Sequence, residues 1–421
     1  MKYVVRLLGV FFLVSSITLA QEPNWNQFRG PEHDNHSFST GIAKSWEEGG
    51  PKLLWKTEGI GSGYSTVSFF GEMIFTMGDV GDQCFAFALD RKTGKEIWKQ
   101  SIGKAGRGLQ GDGSKEGGPQ SSGPLGTPAC DGNAVYACSH YGDFVALNMK
   151  DGKELWRKNI FKDLGAHIMG SWSFSPSPIL DGDKVLLQIG GAGGALAAFD
   201  KSGKLLWRTN WLKDEASYNS PVPVEIGGVR QYLLLTSSSL VGISPADGKT
   251  LWGATFPGKT AVCSDPVLCG DVVMASCSYG VGAYFYRLSK DGDNFKIFDF
   301  EGARTDIQNH HGGVVAVGDH FYLLTNSNNL ACVEAKTGKT AWTNRSVGKG
   351  SLTYVDGVLI LRAEKDEGTI AMVEATPSEY KELGRFSQPD RSDKNSWSYP
   401  VVVDKKLYLR DQNVLLCYDL K

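Results

Sequence analysis

A pattern of about eleven residues recurs along the chain and constrains its fold more than any other feature. Each copy contains an apolar segment, a polar turn with a glycine, and a second segment that ends in tryptophan. Five copies are nearly complete, and they span residues 88–98, 146–156, 198–207, 242–252 and 332–342. Each copy predicts one β-hairpin, because glycine supplies the positive φ that closes a short turn. A single hairpin cannot bury its own tryptophan, so neighbouring copies must pack together.

Two residue types in this pattern are assigned structural roles. The glycines set the turn geometry, and the tryptophans fill the space between neighbouring units. These residues are Gly94, Trp98, Gly152, Trp156, Gly203, Trp207, Gly248, Trp252, Gly338 and Trp342. In the fifth and seventh units, Phe298 and Gly384 stand where the tryptophan is expected.

The two ends of the repeat region hold complementary halves of one hairpin. Residues 53–57 resemble the second strand without the first, whereas residues 417–419 stop where a turn and a tryptophan strand should follow. Joining these halves closes a ring of eight units and removes both terminal edges. The sequence therefore predicts an all-β, eight-bladed β-propeller of four-stranded antiparallel blades, in which strands from the N and C termini share the last blade.

Length and charge narrow the function classes. A chain of 421 residues ordinarily suggests two or three domains, but the repeat predicts one propeller over residues 52–421 after a lead-in segment at 21–51. The formal net charge is −2, from 44 basic and 46 acidic residues. This balance gives no basic footprint for nucleic acid and no polybasic face for a membrane surface.

Residues 1–20 have the pattern of a cleavable secretory signal. Lys2 and Arg6 precede an apolar run, and small residues stand near Ala20. We expect a mature chain that begins near Gln21, has no membrane span and is secreted or periplasmic; an uncleaved N-terminal anchor is the alternative. The absence of cysteine near the cleavage site argues against a lipid anchor.

Eight cysteines raise the question of disulfides in an oxidising compartment. Cys332 and Cys417 fall in the repeat column that Ala88 occupies, which predicts small buried side chains. Cys263 and Cys277 flank one turn and are the best single candidate for a bridge. Free thiols remain the favoured state.

A glycine-rich insertion at residues 101–123 separates the first two units. A phosphate cradle would need a strand before it and a helix after it, so this pattern favours a mobile loop. The loop either binds a partner or is a tolerated excursion.

The starts of the innermost strands are candidates for binding, because they line the central channel of a propeller. Their aromatic and polar side chains could recognise a peptide, a sugar or a flat ligand; alternatively, the rings fill the channel. The residues selected are Tyr64, Trp172, Tyr218, Asp265, His310 and Trp397.

No catalytic residue and no metal site are assigned from the sequence. His310 and His311 are adjacent, and neighbouring residues on a strand point to opposite faces, so the two rings are not expected to share a metal. The G-x-S-x-G pattern of hydrolases does not occur in the sequence.

The repeat resembles the tryptophan-docking motif of the pyrroloquinoline-quinone (PQQ) family of β-propellers. The resemblance extends from about Leu53 to Lys421, and the WNQFRGP at 25–31 and GYS at 63–65 are similar to secreted PQQ-like repeat proteins. The family includes quinoprotein alcohol dehydrogenases and also non-catalytic members, such as the propeller lipoprotein of the outer-membrane β-barrel assembly machinery. Fold follows from this resemblance more securely than function.

The resemblance implies two functional branches. The enzymes use PQQ, a Ca²⁺ held by carboxylate and amide oxygens, a catalytic Asp and commonly an adjacent Cys pair; this chain has no adjacent Cys pair and no C-x-x-C-H haem motif. The leading hypothesis is therefore a monomeric, non-enzymatic scaffold without cofactor that binds another envelope or secreted protein. The alternatives are a PQQ- and Ca²⁺-dependent oxidoreductase, such as an alcohol or sugar dehydrogenase, and a small-ligand or carbohydrate-binding propeller.

Overall fold

The computed structural model describes residues 25–119, 122–300, 302–365 and 367–421. The predicted signal at 1–20 and the expected mature start at Gln21 lie outside the described residues. Eight four-stranded antiparallel blades form the fold, and the blade that contains residues 350–387 gains one short parallel strand. The predicted all-β, eight-bladed propeller is confirmed.

The blades follow one another in chain order, and each runs from an innermost to an outermost strand. The segment before blade 1 contains β1 (His36–Ser37) and β2 (Leu53–Glu58). Blade 1 contains β3 (Ser68–Phe70), β4 (Met73–Val80), β5 (Gln83–Asp90) and β6 (Glu96–Lys104), and the hairpin β7 (Leu109–Gln110) and β8 (Lys115–Glu116) follows. Blade 2 contains β9 (Ala129–Cys130), β10 (Ala134–Cys138), β11 (Asp143–Asn148) and β12 (Glu154–Asn159), and the helix α1 (Ile160–Leu164) follows.

The remaining blades repeat this order. Blade 3 contains β13 (Ile179–Asp181), β14 (Lys184–Gln188), the 3₁₀ turn Gly191–Gly193, β15 (Leu196–Asp200) and β16 (Leu205–Arg208). Blade 4 contains β17 (Val222–Ile226), β18 (Val229–Leu235), β19 (Ser239–Ile243) and β20 (Thr250–Thr255); blade 5 contains β21 (Val267–Cys269), β22 (Val272–Cys277), β23 (Gly282–Asp291) and β24 (Asn294–Asp299). Blade 6 contains β25 (Val314–Val317), β26 (His320–Leu324), β27 (Leu330–Glu334) and β28 (Thr340–Asn344); blade 7 contains β29 (Gly350–Val355), β30 (Val358–Ala363), β31 (Thr369–Glu374) and β32 (Glu382–Ser387). Blade 8 contains β33 (Val401–Val403), β34 (Lys406–Asp411) and β35 (Val414–Asp419).

Blade 8 is completed by a strand from the other end of the chain. Strand β2 pairs antiparallel with β35 and places Trp55 opposite Cys417. The strand order is β33, β34, β35 and β2, so the N-terminal strand takes the outermost position. The predicted ring closure is confirmed.

Tryptophan docking joins successive blades as the repeat predicts. A Cβ on Gly152 would collide with the indole of Trp98, whose Nε1 donates a hydrogen bond of 2.9 Å to the carbonyl of Met149. The same close approach occurs in three further pairs, which are Trp55 with Gly94, Trp156 with Gly203, and Trp207 with Gly248. Glycine is required at these positions because the partner indole occupies the space of a side chain.

Two blades of the ring depart from this pattern. Trp252 turns into its own blade, where its Nε1 donates to Gln231 Oε1 at 2.5 Å. Phe298 does not replace a docking tryptophan, since it is 62% exposed; Arg304 donates to the carbonyl of Gly338 instead. Trp252 is still buried in the core cluster that blades 4 and 5 share, but it does not dock on the turn glycine of blade 5. The structure corrects the expected equivalence of Phe298.

Blade 7 makes contacts on both sides that differ from the repeat pattern. The indole Nε1 of Trp342 donates to the carbonyl of Thr376 at 3.0 Å, in a blade 7 turn that lacks the repeat glycine. Gly384 stands where blade 7 lacks a tryptophan, and Trp46 from the lead-in segment packs there. The ring of Trp46 also contacts Phe386 with centroids 5.3 Å apart.

The strand register explains the small residues of the repeat. Ala88 lies opposite Trp98, and Cys332 and Cys417 lie opposite Trp342 and Trp55 in the same way. Both cysteines are buried, which confirms the column assigned from the sequence. All eight cysteines fall within the described ranges, and all are free thiols there, so Cys263 and Cys277 form no bridge.

Residues 25–37, which we term the N-terminal plug, cross the innermost strands of several blades. The carbonyls of Trp25 and Asn26 accept hydrogen bonds of 2.8 Å from the amides of Phe69 in blade 1 and Cys130 in blade 2. The side chain of Gln27 accepts from Leu180 in blade 3 at 2.7 Å. Strand β1 pairs in parallel with β29 of blade 7. The plug thus satisfies innermost edges that would otherwise lack backbone partners.

The glycine-rich insertion is folded onto neighbouring loops. Strand β6 continues to Lys104, and the hairpin β7–β8 follows. The amide of Leu109 donates to the carbonyl of His140, and that of Gly118 to the carbonyl of Ser171. The described residues of the insertion therefore include a hydrogen-bonded hairpin where the sequence predicted a mobile loop. Within the described part of the chain, no helix is long and apolar enough to cross a membrane.

Candidate functional site

A cavity of about 120 Å³ lies where the starts of the innermost strands converge. Phe28 of the N-terminal plug contributes to its wall and contacts Tyr399, with ring centroids 5.2 Å apart. Tyr399 also lines the cavity, together with the aromatic residues Tyr64, Trp172, Tyr218, Tyr279 and Trp397. The lining also contains the hydroxyl residues Thr66, Thr127, Ser175, Ser177, Ser220 and Ser398. An apolar wall with a few polar groups is typical of a ligand site.

Five of the six residues selected from the sequence line this cavity. They are Tyr64, Trp172, Tyr218, His310 and Trp397. Tyr64 and Trp397 pack with ring centroids 4.5 Å apart, although they come from opposite ends of the chain. The hydroxyl of Tyr218 donates to the carbonyl of Met169 at 2.6 Å and accepts from the amide of Trp172 at 3.2 Å. Packing and hydrogen bonds thus hold the rings in place.

The sixth residue, Asp265, lies outside the cavity lining and binds the N-terminal plug. Its Oδ2 is 3.1 Å from Arg29 Nη1 and 3.3 Å from His33 Nε2, and its Oδ1 accepts from the amide of Ser220 at 2.8 Å. Burial would raise the pKa of Asp265, but the hydrogen bond and charge of His33, the charge of Arg29 and the Ser220 amide outweigh burial and lower it. This placement gives Asp265 a structural role in holding the plug and separates it from the other five selected residues.

His310 and His311 come together, contrary to the expectation of opposed rings. Strand β25 begins only at Val314, so strand alternation does not apply to the pair. Their Nδ1 atoms are 3.3 Å apart, and the hydroxyl of Tyr279 is 2.9 Å from His310 Nε2. The structure corrects the argument that kept these two rings apart.

Glu364 is a buried carboxylate beside the histidine pair. Its Oε1 accepts a hydrogen bond of 2.9 Å from Trp397 Nε1, and its Oε2 is 3.0 Å from the ammonium of Lys349. Burial would raise the pKa of Glu364, but His311, Trp397 and Lys349 together lower it. The carboxylate therefore remains ionised at neutral pH.

Tyr279 and Glu364 do not lie at the starts of innermost strands, so the repeat alignment did not indicate them. Both residues lie just after the second strand of a blade, β22 and β30. The second strand runs antiparallel to the first, so its end returns to the same side of the ring as the start of the first. Polar residues just after the second strand of each blade would therefore have been a sequence indication of Tyr279 and Glu364.

The histidine pair predicts an acid-sensitive fold. Burial first and Lys349 second lower the pKa of His310 to about 4, and burial lowers that of His311 to about 3, while Glu364 opposes both shifts. Below pH 6.5 the unfolded chain therefore binds more protons than the folded one. We therefore expect the free energy of unfolding to decrease as the pH is lowered from about 6.5 to about 4. The decrease should be at most about 1.4 kcal/mol per pH unit for each ring.

This pH dependence can be measured by urea unfolding with a chelator present. The variant His310→Gln/His311→Gln should show a smaller loss of stability from about pH 7 to about pH 4.5 than the parent protein. His167→Gln is the matched control, because this side chain is 39% exposed beside Glu215. Equal slopes in the parent and the double variant would show that the buried rings do not set the acid response.

The cavity is a poor fit for PQQ. This quinone carries three carboxylates, which require cationic or hydrogen-bond-rich partners when they leave water. Among the described residues that line the cavity there is no Lys or Arg. Arg29 is already paired with Asp265, and Lys349 with Glu364. The residues present therefore do not match the quinone site that the enzyme branch of the resemblance implies.

Comparison with known proteins places the repeat in a family. The family model described as "Outer membrane protein assembly factor BamB" matches residues 86–292 and 299–379, well over half of the chain. The outer membrane protein assembly factor BamB of Burkholderia pseudomallei (strain K96243) is 22% identical over 274 residues. This alignment covers 63% of the chain and 63% of the relative, slightly less than two thirds of the relative's length.

Solved structures of two different functions share the fold. BamB from Moraxella catarrhalis aligns with a TM-score of 0.58 at 12% identity, over 88% of this chain and 98% of that one. A quinohemoprotein alcohol dehydrogenase from Pseudomonas putida HK5 aligns with a TM-score of 0.66 at 13% identity, over 94% and 80% of the two chains. At such identities the likeness shows the fold alone. The family match and the observed docking of tryptophan on glycine agree, and the chain belongs to the PQQ-like β-propeller repeat family described as outer membrane protein assembly factor BamB.

Proposed function

We propose that this protein is a non-enzymatic protein-binding or assembly scaffold that works outside the cytoplasm. The family description and the name of the Burkholderia pseudomallei relative, both of which refer to outer membrane protein assembly, support this proposal. The signal pattern predicted at residues 1–20 supports the location. The poor fit of the cavity to PQQ favours a scaffold over the quinone-dependent alternative.

The observation that carries the proposal is a set of exposed apolar side chains on the rim of four consecutive blades. Leu54, Ile97, Leu155 and Leu206 each precede the docking tryptophan on the outermost strands β2, β6, β12 and β16. Their exposed fractions are 38%, 46%, 54% and 42%. We term these four residues the outer arc.

The other four blades differ at the position before the tryptophan. At the same position, blades 4, 5 and 7 carry Leu251, Ile297 and Leu383, which are half-buried, and blade 6 carries the small Ala341. An exposed leucine or isoleucine at this position is therefore confined to blades 8, 1, 2 and 3, whereas blade 5 exposes Phe298 one residue later. A row of exposed aliphatic side chains at the same position of four consecutive blades indicates a contact surface more than a tolerated irregularity.

The outer arc also presents backbone groups to a partner. Among the described residues, no further strand pairs with the outer edges of β2, β6, β12 and β16. A free strand edge can accept an extended segment of another protein through main-chain hydrogen bonds, while pockets beside it select side chains. The proposed mechanism is rigid presentation of these edges and apolar side chains to another envelope or secreted protein.

Charge substitution on the outer arc tests the proposal. The variant Ile97→Glu/Leu155→Glu/Leu206→Glu should lose a partner that the parent protein captures reproducibly from cell envelopes, because docking would bury three carboxylates. Ala341→Glu on blade 6 is the matched control and should retain the partner. Retention of every captured protein by the triple variant, with an unchanged melting temperature, would contradict a scaffold that acts through this arc.

A further inference from the structure

The wall of the cavity brings together three side chains that suit a metal ion. One nitrogen from each of His310 and His311 and one carboxylate oxygen of Glu364 lie within 4.8 Å of one another. From this cluster we infer a binding site for a divalent cation of the zinc class. The site is independent of the scaffold proposal, which concerns the outer arc.

The spacing of the two imidazoles matches tetrahedral coordination. Their Nδ1 atoms are 3.3 Å apart. Two nitrogens that each lie about 2.0–2.1 Å from a tetrahedral zinc ion are about 3.3–3.4 Å from each other. A cation between the rings therefore requires little change in their positions. Two imidazoles and one carboxylate also form a donor set that leaves the fourth zinc position free for another ligand.

The His311 ring provides a second, separate indication. Its Nε2 is buried and has no hydrogen-bond partner among the described residues. Its Nδ1 faces only the Nδ1 of His310. A buried polar atom without a partner is unfavourable, and most such atoms in folded proteins are satisfied by protein, water or an ion. Coordination through Nδ1 would give this buried ring a partner other than a second imidazole nitrogen, and Nε2 would then carry the ring proton.

Neighbouring groups orient the ligands in the manner of established metal sites. Tyr279 contacts the outer nitrogen of His310 at 2.9 Å, which leaves Nδ1 of that ring directed at His311. The Nε1 of Trp397 donates to Glu364 Oε1 at 2.9 Å and fixes the carboxylate. Partners of this kind set the tautomer of a ligating histidine and the direction of a ligating carboxylate.

Lys349 is the group that competes with a cation. Its ammonium lies 3.0 Å from Glu364 Oε2, and its side chain is 20% exposed. A lysine with an exposed end can move its charge toward water while its methylene stem stays packed. The cation would therefore displace the ammonium from Glu364 or share the carboxylate with it.

The open position faces the aromatic cavity. His310 and Trp397 both line the cavity, so a cation held beside them is accessible from it. The volume of about 120 Å³ admits water or a small molecule with an oxygen or nitrogen donor. The cation would hold such a donor between the tyrosine and tryptophan rings.

Co²⁺ is a suitable probe, because it occupies zinc sites and its visible absorption reports the geometry. We expect the untagged full chain to bind one Co²⁺, to show the intense absorption of tetrahedral Co²⁺, and to release it when Zn²⁺ is added. His311→Gln and Glu364→Gln should each abolish this spectrum. Trp397→Phe keeps an aromatic ring but removes the N–H, and should weaken Co²⁺ binding by about 10- to 100-fold.

Two further variants keep the test decisive. His167→Gln removes a surface histidine that lies 3.3 Å from Glu215 and should leave Co²⁺ binding unchanged. Lys349→Met removes the competing ammonium and should tighten Co²⁺ binding by about tenfold. If either ligand variant fails to fold, Lys349→Met decides alone: tighter binding supports the site, and unchanged binding overturns it. A folded parent protein that binds no Co²⁺, or a tetrahedral spectrum that survives both ligand substitutions, also overturns it.

Discussion

Replacing Trp98 with alanine is expected to lower the free energy of unfolding by about 3–5 kcal/mol. The indole is 8% exposed and lies against Gly152 of the next blade, with its Nε1 bonded to the carbonyl of Met149. Alanine would leave a cavity between two blades and a carbonyl without its donor. Because these blades do not share a sheet, side-chain packing of this kind holds them together.

Chemical unfolding of the parent and the variant measures this effect. Trp211→Ala is the matched control, because Trp211 is the same residue type but 48% exposed, and it should cost less than about 1 kcal/mol. A loss below about 1 kcal/mol for Trp98→Ala as well would mean that the ring is not held by interblade tryptophan packing.

Replacing Asp265 with alanine is expected to cost a similar amount, about 3–5 kcal/mol. The side chains of Asp265 and Arg29 are 2% and 1% exposed, and they lie 3.1 Å apart. Removing the carboxylate leaves the guanidinium buried without its counter-charge and also frees the amide of Ser220. The plug should then detach from the innermost strands, because the unpaired guanidinium is more stable in water and gives up its remaining hydrogen bond to the carbonyl of Val314.

Two measurements identify the cause of this loss. Hydrogen exchange should accelerate at the amides of Phe69 and Cys130, which donate to the plug in the intact protein. Asp291→Ala removes one partner of an exposed pair with Lys296 and should cost less than about 1 kcal/mol. If Asp265→Ala destabilises the chain no more than this control, the plug is not anchored by the buried ion pair.

Most of the fold could be predicted because the repeat encodes it locally. The turn glycine and the docking tryptophan, as in Gly152 and Trp98, come from short segments whose geometry does not depend on the rest of the chain. The departures could not be predicted in this way. Trp252 turns inward to Gln231, and Trp46 covers Gly384 across more than 330 residues of sequence. Such contacts depend on the closed ring.

The candidate site was only partly predictable for the same reason. Strand starts could be aligned by the repeat, which located Tyr64, Trp172 and Trp397. The repeat does not determine where the side chain of a loop residue points. The proximity of the His310 and His311 rings therefore could not be predicted from the sequence. Asp265 was selected as a polar strand start, but Arg29 from the plug reaches it across 236 residues.

The most direct test of the scaffold proposal is site-specific photocrosslinking in the cells that make the protein. A photoreactive residue at Leu155 lies on the outer arc, and one at Ala341 occupies the equivalent exposed position on blade 6. The outer arc proposal predicts a discrete crosslinked species from position 155 that is lost in the Ile97→Glu/Leu206→Glu background, and none from position 341. Equal crosslinking from both positions, or none from either, would contradict it.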